Sequence, residues 1–382
     1  MIIFLLKIIF CGSALGQLAY WFFVFSKLAF YPQPTNNETL KANVAAENVN
    51  FSIPLSAMSS SVSVVICARN ACENLKKNLP NILNQKYKNF EVIVVNDAST
   101  DETAALLNDF LKSHKNLRII NVLEKKTPGK KGALALGIES AQCEWLLLTD
   151  ADCRPLSNLW ISGMIKDVDT KEIGLGFAPY EKSDTLLNRF IRFETVWTAV
   201  QYMGFAIAGE PYMGVGRNMI YKKKIYEKSE GFEKYAHLAS GDDDLFINSV
   251  ISKNNFKIIL NPETFMFSEP HSQWNDYFTQ KSRHFTTATS YTLKHQIMLG
   301  ILSLTHFFLF VTAFLLLALK ISTIFVVLIL VVRTVIMLYF YDKILRKFRE
   351  QNLLFWIPIL DILYVFFYVI FTPALFFKTK KW

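Results

Sequence analysis

Residues 1–30 are almost wholly apolar, interrupted only by Lys7, Gln17 and Lys27. A helix needs about 20 apolar residues to cross a bilayer. A cleaved leader would have a shorter apolar core followed by a small-residue cleavage site. Here the run continues through Tyr20-Trp21-Phe22-Phe23 to Phe30, so the pattern predicts an uncleaved N-terminal transmembrane anchor. Residues 31–60 turn polar and carry Pro32, Pro34 and Pro54, which reads as a linker.

From residue 61 the texture changes. "SVSVVICA" and "FEVIVVND" are short β-branched runs that end in polar turns, the pattern of strands buried on both faces, and "LRIINVL" and "EWLLLTD" read as two further strands. Between them, 74–85, 101–113 and the segment "KKGALALGIESA" suit helices. Strands alternating with helices predict an α/β domain with a mixed, mostly parallel sheet over 61–296. In such sheets ligands bind beyond the carboxyl ends of the strands, where Asn96-Asp97 and Asp150-Ala151-Asp152 fall. After about residue 296 the apolar runs return, at 297–319, 321–341 and 353–377, the last weakened by Pro358, Asp361 and Pro373. The C-terminal region, 297–382, thus holds two to three candidate spans. The stretch 341–352, "YDKILRKFREQN", reads as a basic loop, and positive-inside counting puts it and the soluble domain in the cytosol. The tail "KTKKW" then falls outside against the rule, unless the third segment is re-entrant or interfacial.

"TLLNRFIRFETVWTAVQYMGFAIAG" is long, amphipathic and aromatic. It suits either an interfacial helix that rests on headgroups or gates an acceptor, or an ordinary packed helix. His271, Trp274 and Trp197 read as packing residues.

Composition adds a constraint on partners. The net charge of +9 suits an anionic membrane surface or a phosphate-bearing substrate. The basic residues are scattered and form no nucleic-acid module. The five cysteines are odd in number and without C-x-x-C spacing, which argues against a disulfide framework or zinc site and for small packing residues in a reducing compartment.

The chemistry-bearing stretch is "LLLTDADCRP", residues 146–155. Alternate side chains of an extended chain point the same way, so Asp150 and Asp152 would lie side by side with Ala151 turned away. Adjacent carboxylates repel unless a cation or proton lies between them. Hard divalent cations such as Mg2+ or Mn2+ take oxygen ligands and share them with substrate phosphates.

Taken with "SVVICARNACENL", "VVNDASTD", "GKKGALALGI", "SGDDDLF" and "QKSRH", this stretch resembles the family 2 glycosyltransferases, in particular the membrane-anchored branch of cellulose and hyaluronan synthases. Six motifs fall in the family's order across about residues 61–290. The resemblance implies a GT-A fold, a nucleotide-sugar donor (usually a UDP-sugar), a divalent metal, inversion at the sugar carbon, and a polysaccharide or lipid-linked acceptor at the cell membrane. Transfer of a single sugar to polyprenyl phosphate is the alternative within the class. A non-catalytic membrane transporter or scaffold is the alternative outside it, and the intact acidic motifs argue against that one.

The same resemblance implies that Ala68, Asp97, Lys130 and Asp150 line the nucleotide, with Asp97 accepting from the base. Asp150 and Asp152 match the D-x-D motif and would hold the metal. The last Asp of the family's Gly/Thr-Asp/Glu-Asp element is the general base, which falls on Asp243, with Asp242 and Asp244 open because the triplet blurs the register. Arg283 would pair with the diphosphate and Gln280 would line the acceptor side, as in the family's Gln-x-x-Arg-Trp motif. His284 stands in place of that Trp, which puts processive chain growth in doubt more than catalysis.

Overall fold

A computed structural model of the chain describes residues 1–33, 60–124, 129–168 and 170–375; most of the expected linker and the "KTKKW" tail lie outside the described residues. The chain divides into two units. One holds the described residues of Pro32–Glu181 and Met213–Pro270, the other Met1–Tyr31, Lys182–Tyr212 and the described residues from His271 onward.

The first unit is built on β1 (Val62–Ala68), β2 (Phe90–Asp97), β3 (Leu117–Val122), β4 (Trp145–Asp150), β5 (Cys153–Pro155), β6 (Ile173–Leu175), β7 (Met219–Lys222), β8 (Phe256–Ile258) and β9 (Met266–Ser268). Seven of these form one sheet in the order β3-β2-β1-β4-β7-β6-β8. The pairs β1–β2, β2–β3, β1–β4 and β6–β8 are parallel, while β7 runs antiparallel to β4 and β6. The Val, Ile and Leu residues of β1, β2 and β4 are buried, because helices such as Cys72–Leu83, which packs Leu75, Leu79 and Ile82 into the core, cover the sheet. The mostly parallel α/β architecture expected from the alternating pattern is the one observed.

The strand order reverses at β1, with β2 and β3 on one side and β4 on the other. A crevice opens at such a point beyond the carboxyl ends of the strands. Register sets what borders it: Ala68 lies beside Asn96, and Cys67 beside Asp150. The small sheet β5–β9, which pairs Cys153 with Ser268, fixes the chain as it leaves Asp152.

Among the described residues, the second unit holds four helices long and apolar enough to cross a membrane: Ile2–Ala29, Leu293–Ala318, Thr323–Phe348 and Gln351–Phe371. The third corrects the sequence reading, since the basic stretch expected as a loop continues the helix as far as Phe348. The fourth is intact despite its proline, because Pro358 sits in the first turn of Ile357–Phe371, where no intrahelical N–H bond is lost. Two further helices belong to this unit, Leu186–Ile207 and Trp274–Phe285. The first carries the aromatic amphipathic pattern and is packed over most of its length, with Phe190, Phe193, Trp197 and Tyr202 all buried. The Trp197 ring lies 5.3 Å from that of Phe25, in the packing role expected of it. Its charged residues are also tied: Arg192 binds Glu350 and, at 2.6 Å, Asn352, and Glu194 pairs with Lys281 at 2.5 Å.

Candidate active site

The crevice at the switch point is lined by Val65 and Cys67 of β1, Leu148, Thr149 and Asp150 of β4, Lys130, Leu134, Gly216 and Asp242. Parallel strands dictate this set, since β1 and β4 end side by side and the loops that follow supply the polar groups. The chain after β1 is stitched to the chain after β2. Asn70, in a left-handed conformation at φ 49°, accepts the Thr100 N–H at 2.8 Å, and its own N–H reaches the Ser99 hydroxyl at 3.0 Å. Ala68 and Asp97 are buried at the strand ends of this rim.

β4 ends at Asp150, and the chain turns through Ala151 and Asp152. Ala151 packs into the core and its carbonyl accepts from Asn78 at 3.3 Å, so the two flanking carboxylates face away from it together. Donor atoms of Asp150, Asp152 and Cys153 lie within 4.8 Å of one another. Burial and the neighbouring Asp150 push the Asp152 carboxyl above its ordinary range, against Arg217, the Cys153 thiol and Lys130. The two acids therefore retain a repulsion that a divalent cation relieves, and their oxygens are the donors that a hard cation takes. Burial, with Asp152 and Asp150 beside it, holds the Cys153 thiol well above the usual value, and its sulfur lies 3.0 Å from the Ser268 hydroxyl.

Lys130 joins the two acidic motifs. Its ammonium donates to Asp150 at 2.6 Å and lies 3.1 Å from Asp242. Burial works against its charge, but Asp150, Asp242 and Asp243 outweigh it and raise the ammonium well above its ordinary value. Lys130 thus stays charged in the crevice.

Within the triplet the three carboxylates part ways. Asp242 is the one that lines the crevice. Asp243 caps the helix Asp244–Val250: one oxygen accepts the Asp244 N–H and the other the Gly216 N–H, both at 2.8 Å. Burial first, then Asp242 and Asp244, pushes the Asp243 carboxyl up to about 7. Asp244 accepts its neighbour Leu245 N–H at 2.8 Å.

Gln280 and Arg283 sit three residues apart on the helix Trp274–Phe285 of the helical unit. Both are half-buried, while His284 is exposed.

Two residues near the crevice have roles that sequence spacing did not assign. Arg217 stacks over the Tyr180 ring at 4.4 Å and donates to Ser268 at 3.0 Å, which puts a second cation beside the D-x-D turn. Lys131 is buried at the start of the helix Lys131–Ser140. A signal did exist for Arg217, a charged residue within "MGVGRNM" between buried positions, but its partners lie far away in sequence.

Residues 63–229 match the family model described as glycosyl transferase family 2. Among curated proteins, the chain is 27% identical over 233 residues to a probable glycosyltransferase, YdaM, of Bacillus subtilis, covering 58% of this chain and 54% of that one. It is 28% identical over 123 residues to the UDP-Glc:alpha-D-GlcNAc-diphosphoundecaprenol beta-1,3-glucosyltransferase WfaP of Escherichia coli, covering 31% of this chain and 45% of that one. The chain thus spans about half the length of these relatives. Among solved structures, a mannosyltransferase from Pyrobaculum calidifontis, in complex with GDP-Man and Mn2+, superposes with a TM-score of 0.52 at 17% identity, over 93% of this chain and 98% of that one. At that identity the likeness speaks for the fold, which is GT-A. The family match begins in β1 and runs through β7, over the strands whose ends border the crevice, and residues 63–229 form a family 2 glycosyltransferase domain.

Proposed function

We propose that the chain is a membrane-bound inverting glycosyltransferase that moves a sugar from a nucleotide-sugar donor, a UDP-sugar, to a hydroxyl of a lipid-linked glycan or growing polysaccharide. The observation that carries this reading is the Lys130 bridge between Asp150 and Asp242 at the switch point of the sheet. One carboxylate ends the D-x-D strand, the other precedes a helix more than 90 residues later, and one charged ammonium holds both against a single crevice.

In this reading Ala68 and Asp97 border the nucleoside, and Lys130 supplies positive charge to the diphosphate. Asp150 and Asp152 would hold Mg2+ or Mn2+, whose charge neutralises the departing nucleoside diphosphate. The base is Asp242 rather than Asp243. Asp242 lines the crevice, whereas both oxygens of Asp243 are engaged by backbone N–H groups. Asp242 takes the proton of the acceptor hydroxyl as that oxygen bonds to the anomeric carbon from the face opposite the diphosphate. The carbon–oxygen bond to the diphosphate breaks, and the electron pair leaves with the nucleotide.

The acceptor assignment is supported by the four apolar helices, which keep the enzyme where a lipid-linked substrate resides, and by the diphosphoundecaprenol-linked substrate in the name of the Escherichia coli relative. The sheet unit faces the cytosol, where nucleotide sugars are made, in the inner or plasma membrane.

The test is a screen of UDP- and GDP-sugars with the detergent-solubilised full chain, reading release of nucleoside diphosphate with Mn2+ and with excess chelator. Metal-dependent release from one donor is expected. Failure of every donor to turn over, together with failure of UDP and GDP to bind, overturns the reading.

A further inference from the structure

Lys130 has a neighbour of the same charge that plays no part in the crevice. Lys131 is 2% exposed. Its ammonium donates to the carbonyls of Leu238 and, at 2.7 Å, of Ser240. The carbonyl between them, that of Ala239, abuts Gly129, where an added Cβ would lie 2.1 Å from the oxygen. Gly129 has φ +71°, a conformation that other residues adopt at a cost. Three successive carbonyls, 238 to 240, are therefore fixed by the turn 129–131. Two residues further on stands Asp242.

A buried ammonium is costly unless its hydrogen bonds are made, so its presence here ties the turn and the 238–242 loop into one arrangement. The two lysines then divide the work: Lys130 meets the Asp242 carboxylate, and Lys131 holds the backbone that aims it. We propose that Lys131 is a positioning residue for the base, fixing the loop 238–242 so that the Asp242 carboxylate stands against the crevice at the distance Lys130 bridges. The inference rests on the assignment of Asp242 as the base.

Positioning acts on the chemical step and leaves ground-state binding of the nucleotide alone. In the full-length protein, Lys131→Met is expected to lower kcat by about 10- to 100-fold, the scale of a small misplacement of a reacting group, while donor KM and the affinity for UDP with Mn2+ change by less than about twofold. Wild-type kcat in Lys131→Met overturns the proposal. So does a loss of kcat that comes with an equal loss of UDP affinity and a lowered Tm, the mark of a merely structural lysine. If the Met variant does not fold, Lys131→Gln, whose amide can still donate to one carbonyl, is judged by the same split. Asp242→Asn separates the two claims. If that variant turns over normally, the assignment of the base has failed. If it is inactive while Lys131→Met is normal, only the positioning role has failed.

Discussion

At the scale of single residues, three consecutive aspartates do three different jobs, and the backbone decides which. A carboxylate at a helix N-cap accepts N–H groups of its own first turn, and Asp243 adds the Gly216 N–H to that. Spacing in the sequence places the triplet at a helix start but leaves the register within it undetermined, which is why the residue-by-residue match falls on Asp243 while the crevice presents Asp242. The comparison that tests the assignment is Asp242→Asn against Asp243→Asn. The first is expected to lower turnover by about 10²-fold or more with donor affinity little changed, the usual scale for a positioned base, and the second to leave most of the rate. The reverse pattern returns the base to Asp243.

Asp243 also has a signature in stability. Its carboxyl is pushed up to about 7 in the folded chain, by burial first and then by Asp242 and Asp244, against about 4 when unfolded. A group raised on folding contributes stability that is fully present below the unfolded value and is lost as pH rises through the folded one. The wild type should therefore lose thermal stability relative to Asp243→Asn between about pH 4 and pH 7, and the two should run parallel above that window. Asn keeps one acceptor but sets an amide NH2 against the other N–H, a loss that does not vary with pH, so the pH dependence of the difference reports the charge. Parallel melting curves across the whole range would contradict the placement of this carboxyl.

At the scale of elements, β1 to β4 were legible because each is a short apolar run closed by a polar turn, and the D-x-D turn was legible because alternation at a strand end is local geometry. The remainder depends on contacts distant in sequence. Lys131 reaches residues 107 and 109 positions away, and Arg217 reaches Ser268. The apolar count of the fourth membrane helix was lowered by Asp361, yet that residue is what ties the helix in. Each of the four helices contributes one member to a buried polar cluster: Gln17, His306, Arg333 and Asp361. Arg333 binds Asp361 and donates to Gln17 at 3.2 Å, Asp361 lies 3.0 Å from His306, and Gln17 donates to Thr305 at 2.9 Å. Removing one partner of a buried ion pair leaves an uncompensated charge, at a cost of about 3–5 kcal/mol in soluble proteins. Arg333→Leu and Asp361→Leu should each lower Tm in detergent, and the double variant should be more stable than either. Additive losses would show that the two charges do not depend on each other.

At the scale of the whole molecule, four spans fix the sidedness of every segment once one is known. An even number puts both ends of the chain on one side of the membrane, and the residues between the first and second helices on the other. The basic residues make the choice. Lys343, Arg346 and Lys347 occupy the last turns of the third helix, Arg349 follows it, and an excess of Lys and Arg marks the cytosolic side. The turn between the second and third helices, on the opposite side, carries Lys320 alone. Under the proposed orientation residues 60–270 share the cytosolic side with Arg349, where a nucleotide-sugar donor would be supplied. In intact cells, a membrane-impermeant maleimide should label Ser322→Cys above the wild-type background and should miss Ser113→Cys and Arg349→Cys until the cells are opened. Labelling of Ser113→Cys from outside would reverse the orientation and remove the cytosolic donor from reach. Labelling of Arg349→Cys alone would mean that one of the four helices does not cross.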